Sequence, residues 1–286
     1  MTGRAPAAAH AAAARRRARD RAMAALVALG ALAALLPLFL VLGYVVREGL
    51  GAIDLAFFTR DPAPVGQPGG GVRSAIVGTL IIDLMASVIG VTVGVGAGLL
   101  LSEYGHHPMA PVVRLVGDVL GGMPAIIMGL VAYQLVVRPM RRFSALAGSV
   151  ALGFLMIPIV TRSTESALAL VPRELREAGM ALGLPRWRVI VSVVLPAARD
   201  GIVTGALLAL ARVAGEAAPL LLTAFGNPYL SFDPTRPMDS LPLRLFVYAI
   251  SPFQEWHAQA WAASLLLVLM ILATTLAARW VIRQRI

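Results

Sequence analysis

Of the charged residues inside or at the end of runs otherwise apolar enough to cross a bilayer, four could do chemistry: Arg162 and Glu165 near the end of one, Arg212 and Glu216 within another. A charge at the bilayer centre costs at least ~2.5–3.5 kcal/mol on insertion scales, so it normally faces a partner or a water-filled path. Arg212 and Glu216 are four apart and would share a face of an unbroken helix. Arg212 lies eleven residues beyond Gly201, about 16 Å along a helix axis and so near mid-membrane. A guanidinium stays charged and offers a planar fork of donors to two oxygens of one anion. Two of them beside a central path would suit an oxyanion. The other reading is that Arg212–Glu216 and Arg162–Glu165 are mutually neutralising packing pairs, and the residues alone leave both open. Asp83, and Arg114 with Asp118 near a helix end, read as structural pairings or a wet interface.

The elements that must position these residues are membrane helices. The chain is 58% hydrophobic and only 14% charged, with mean hydropathy +0.80, whereas a soluble domain carries about 25% charged residues. About 20 mostly apolar residues cross the hydrocarbon core. Six stretches qualify: Ala22–Val46, Ser74–Leu101, Val119–Val137, Ser144–Thr161, Gly201–Ala224 and Ala258–Ala278. The expected fold is therefore all-α and polytopic, with a basic tail over residues 1–21 and a transmembrane domain over 22–286. Residues 2–19 carry no core-forming pattern and read as a mobile tail. The first apolar run follows a basic stretch but exceeds the roughly 7–15 residues of a signal h-region, so it reads as a retained helix.

Between the fourth and fifth runs lies a polar, Arg-rich island, residues 172–196. Pro172 can open a short helix and Gly183 can close it with a left-handed cap. Pro185 can open a second helix, which Pro196 should stop. The two would meet at a glycine elbow and protrude from the membrane, where a soluble partner could reach them.

Other function classes fall away. All 25 basic residues are Arg, and the formal net charge is +10, yet they flank apolar spans and form no basic face for nucleic acid. Without lysine the chain has no Walker A sequence. Without cysteine it has neither disulfides nor thiolate metal sites, and the four histidines show no metal-ligand spacing. No catalytic residues, cofactor or metal are expected. With six spans both termini share a side. Placing them in the cytoplasm puts fifteen Arg inside and eight outside, as the positive-inside rule favours. The Arg138, Arg141 and Arg142 cluster dissents on the outer side; it could gather anions or meet an acidic protein surface.

Two groups of residues carry a family resemblance. Glu177, Ala178, Gly183, Leu195 and Pro196 fall at the spacing of the "EAA" loop of ABC importer permeases, with Gly179 in place of the second Ala and Val193 in place of Ile. The runs Gly201-Ile202-Val203-Thr204-Gly205 and Ala211-Arg212-Val213-Ala214-Gly215-Glu216-Ala217-Ala218-Pro219-Leu220-Leu221 resemble the A-type permease subunits of phosphate importers, the PstA family. Arg162-Ser163-Thr164-Glu165 and Ser251-Pro252-Phe253 followed by Glu255-Trp256 are similar too. Ala217 replaces a family Thr. The resemblance implies a type I ABC importer permease (MetI-like) fold in the bacterial inner membrane. It implies that Glu177, Ala178, Gly179, Gly183, Leu195 and Pro196 dock a cytoplasmic ATPase, while Arg212, Glu216, Arg162 and Glu165 line the substrate path. The partners it implies are a C-type permease (PstC) as heterodimer, two ATPase subunits (PstB), an external phosphate-binding protein (PstS) and membrane lipid. A permease for molybdate, sulfate or phosphonate, and a non-ABC carrier or membrane anchor, are the alternatives.

Overall fold

The computed structural model describes residues 5–64, 67 and 69–283, without the side chains of 5–14, 278, 279 and 281–283. Arg4, Arg285 and part of the 61–71 connection lie outside the described residues. The described chain is helical, with no extended strand pairing beyond isolated bridges. It divides into two units, residues 1–48 and 49–286.

The first unit belongs to one helix, α1 (Ala5–Leu50), with Pro37 inside it. The helix reaches back to Ala5 through the segment expected to be a tail. Ala and Arg are among the strongest helix formers, so a run of them needs no core to favour this conformation. From Met23 to Val41 its large apolar side chains are exposed.

The second unit is built on two long helices, α3 (Arg73–Glu103) and α7 (Ala145–Ala169), preceded by the short α2 (Leu55–Thr59). Gly90, Gly94 and Gly98 of α3 face α7; a Cβ at Gly94 would stand 2.6 Å from that of Val160. Small residues at this spacing let two backbones close to van der Waals contact, which is the main attraction available between helices in lipid. Ile82, Ala86, Leu152, Met156 and Val160 form the centre of the resulting core.

The third expected span is not straight. α4 (Ala110–Gly122) and α5 (Ala125–Ala132) meet at 113°. Pro124 disfavours helical geometry at the residue before it, and Met123 is extended, at ψ 138°. α5 continues through a π turn at Tyr133–Val137 into α6 (Arg138–Met140). Among the described residues five helices are long and apolar enough to span a membrane, or six if the bent pair counts as one.

The island follows α7 as α8 (Arg173–Ala181) and α9 (Arg186–Val189). α9 runs through a π turn at Ile190–Val194 into α10 (Leu195–Val213). Pro196 therefore does not stop the second helix. It sits in the first turn of α10, where the wider π geometry just before it displaces the carbonyl its ring would otherwise strike. α10 packs on α7 through two more glycines: Gly201 meets Ala167 and Gly205 meets Ser163. The chain closes with α11 (Ala218–Leu221), α12 (Leu241–Ala249) and α13 (Gln254–Arg283). The Leu241 N–H bonds to the buried Thr79 hydroxyl at 2.8 Å, fixing α12 to α3.

Candidate functional site

Arg162 stands on α7 four residues beyond Pro158, and Arg212 is the penultimate residue of α10. The helix ends there, so the expected i,i+4 face between Arg212 and Glu216 does not exist. Glu216 lies in the following turn, its N–H on the Val213 carbonyl at 3.0 Å. Gly215 and Pro219, both poor helix residues, flank the break. Among the described residues Arg212 and Glu216 form no ion pair with each other or with any third group.

The break and the α4–α5 bend together open a cavity of about 600 Å³. Asp118, Arg162, Arg212 and Glu216 line it, together with the Gly121–Ala125 bend. Three of the four charges singled out in the spans thus converge on one space. Glu165 does not line it. It borders a second cavity of about 240 Å³, shared with Arg114, Asp118 and Arg162.

The pairing between these charges also departs from expectation. Arg162 does not pair with Glu165 along α7, nor Arg114 with Asp118 along α4. The pairs run crosswise between the two helices: Arg162 Nη2 to Asp118 Oδ1 at 2.5 Å, and Arg114 Nη2 to Glu165 Oε1 at 2.8 Å. Arg162 and Asp118 are both more than half exposed, so water screens their attraction. Asp118 is the lining residue that the sequence placed only at a helix end. Its signal was the four-residue spacing from Arg114, which puts both on one face of α4.

Glu165 also borders a third cavity, of about 540 Å³, with Glu103, Arg173, Arg176, Glu177 and Arg186. Here the island is fastened to α3. Arg176 donates to Glu103 at 2.6 Å and to the Leu168 and Val171 carbonyls at 2.9 and 2.6 Å. Glu103 is almost fully buried, with its side chain 5% exposed. Arg186 donates to the Glu103 carbonyl and lies 4.8 Å above the Tyr104 ring, a cation–π contact. No spacing along the chain marks this anchor, because Glu103 and Arg176 are 73 residues apart.

Within the island Gly183 adopts φ +79° with open space around its missing Cβ, the left-handed cap expected of it. Gly179 is buried on Val189, where a Cβ would come within 3.0 Å of both methyls. Glu177 and Ala178 are exposed, Leu195 is half-buried and Pro196 is exposed. Leu182 is 83% and Trp187 58% exposed, so the elbow presents apolar side chains that no described residue covers.

At the far side of the molecule Arg141 and Phe225 both take positive φ, 55° and 63°. Phe225 stacks on Phe143 at 4.6 Å. Arg142, Asp233 and Arg236 gather there, with Asp233 and Arg236 3.2 Å apart. The Thr235 hydroxyl and N–H hold the Asp233 carboxyl below its ordinary value, with weaker help from Arg236 and Arg142.

Residues 90–285 match the family of binding-protein-dependent transport system inner membrane components. The phosphate transport system permease protein PstA of Yersinia pestis is 45% identical over 241 residues, 84% of this chain and 82% of that protein. The protein of the same name from Xylella fastidiosa is 45% identical over 236 residues, 82% of each. Among solved structures, an inward-facing form of the MetNI methionine ABC transporter matches with TM-score 0.60 at 21% identity, covering 75% of this chain and 94% of that one. The shared architecture is the all-helical, multi-pass fold of an ABC importer permease. With the family matched over most of its length and near relatives covering four fifths of it, the chain belongs to the binding-protein-dependent transport system inner membrane components, in the group of the PstA permeases.

Proposed function

We propose that this chain forms half of the translocation path of an ATP-driven importer of inorganic phosphate. The observation that carries the reading is the convergence of Arg162 and Arg212 on one polar cavity within otherwise apolar helices. It occurs in a chain whose relatives are named phosphate transport permeases. Among the described residues Arg212 has no carboxylate bound to it, and it offers its fork to an anion. Arg162 already holds Asp118 and would exchange it for a passing anion. Phosphate, with its tetrahedral oxygens, meets both geometries.

The island supplies the coupling. Exposed Leu182 and Trp187 at a glycine-capped elbow fit a groove on a cytoplasmic ATPase, and Glu177 and Ala178 lie on the exposed helix beside them. The Arg bias supports a cytoplasmic position for this loop and both termini. The working assembly pairs this subunit with a second, C-type permease, two ATPase subunits below and a phosphate-binding protein outside. The test is ATP-dependent uptake of radiolabelled phosphate by vesicles carrying all four components. Uptake should require this subunit and resist excess sulfate or molybdate. Preferential import of either competitor would overturn the phosphate reading.

A further inference from the structure

The cavity below Arg212 carries as many carboxylates as guanidiniums, which an anion path built for charge alone would avoid. We infer that Asp118 and Glu216 set its specificity, admitting oxyanions that bear their own hydroxyl and disfavouring those that bear none. The inference rests on the phosphate reading given above and sharpens it.

The argument is one of donors and acceptors. Arg162 and Arg212 only donate hydrogen bonds, and they serve any oxyanion alike. An ionised carboxylate only accepts. Asp118 gives Oδ1 to Arg162, while its Oδ2 takes part in no hydrogen bond among the described residues. The Glu216 carboxylate takes part in none there either. Acceptor capacity is therefore left over in the cavity wall, between groups that attract anions. Sulfate at neutral pH presents acceptors on every corner, so its oxygens would face these carboxylates lone pair to lone pair. Hydrogen phosphate carries a P–OH and can donate to the same oxygens in a short, charge-assisted bond.

The space fits this use. A cavity of about 600 Å³ holds a tetrahedral anion with several waters, each of which claims roughly 30 Å³ in the liquid. A lining with balanced charge also keeps the anion from being trapped, since passage needs binding weak enough to release. In an open, wet cavity the discrimination should fall far short of what a closed site built around a substrate hydroxyl achieves. About tenfold is expected.

The test separates hydroxyl from size and charge. Purified permease–ATPase complex in nanodiscs, without the binding protein, is incubated with radiolabelled phosphate and competed with arsenate, sulfate or monofluorophosphate. Arsenate keeps the hydroxyl; monofluorophosphate is a tetrahedral dianion at neutral pH with fluorine in its place. Arsenate should compete as phosphate does, and the other two about tenfold more weakly. Glu216→Gln and Asp118→Asn replace an acceptor by a group that can also donate. Each should bring sulfate and monofluorophosphate within about threefold of phosphate. Co-purification of the ATPase reports that each variant assembles, and Glu216→Gln leaves every described ion pair in place. Equal competition by sulfate in the parent complex, or an unchanged ranking in Glu216→Gln, would overturn the inference. So would a complex that imports phosphate with its binding protein yet binds none in this assay. Failure of that complete system to import phosphate would instead remove the phosphate reading itself.

Discussion

At the scale of single residues, the cost of a charge in an apolar run is what made the charges of the polar cavity legible. Arg212, Glu216 and Arg162 stood out in the sequence for that reason, and all three line one cavity. Their pairing was not legible. It depends on how α4 crosses α7, which no spacing along either helix encodes, and on α10 ending at Val213. Among the described residues Arg212 holds no carboxylate, which under the proposed function leaves its charge to a passing anion. Arg212→Gln should therefore assemble with its partners but lower phosphate uptake more than tenfold, whereas Arg212→Lys, which keeps the charge and loses the fork, should retain part of it. Arg176 presents the opposite case. Removing it strands the buried Glu103 carboxylate, a loss of about 3–5 kcal/mol when no replacement partner exists. With Arg176 itself 20% exposed, water offsets some of this. Arg176→Ala should thus leave α3 inserted but loosen the island, read as faster proteolysis around residues 182–187 and weaker retention of the ATPase.

At the scale of elements, the glycines separate into two kinds. A Cβ at Gly94 would stand 2.6 Å from that of Val160, while one at Gly96, two residues on, would meet nothing within 4 Å. Gly94→Val should wedge α3 from α7 and abolish accumulation of folded protein, since packed interfaces do not absorb added methyls cheaply. Gly96→Ala should accumulate normally, which a fluorescence-detected gel-filtration profile of the detergent extract would show. Gly183 is a third situation, open in space but left-handed in backbone, which costs an L-residue about 1–2 kcal/mol. Gly183→Val is expected to insert normally but to lose the ATPase on purification, with transport falling accordingly. The sequence disclosed the helix caps and the elbow because Pro and Gly act locally. It concealed the bend after Gly122, because a proline in an apolar run is compatible with either a kink or a break. It also misplaced the end at Pro196, because the π turn that accommodates that residue has no compositional mark.

At the scale of the whole molecule, the arginine bias predicts that the termini and residues 163–199 face the cytoplasm, with 47–73, 138–143 and 225–256 outside. The chain contains no cysteine, so single cysteines can map it without background. A cysteine at Ser231 should react with an impermeant maleimide in intact spheroplasts, and one at Ser192 only after lysis; the reverse pattern would invert the topology. Orientation matters because of one feature. The residues from Arg186 to Val213 form a single length of helix, about 40 Å from end to end. One end carries Trp187 on the elbow, and the other carries Arg212 beside the polar cavity. A push delivered at the elbow therefore need not be relayed through a succession of side chains. It arrives at the guanidinium as the stroke of a connecting rod, and the π turn at Ile190–Val194 is the one joint along the shaft where that stroke can be lost.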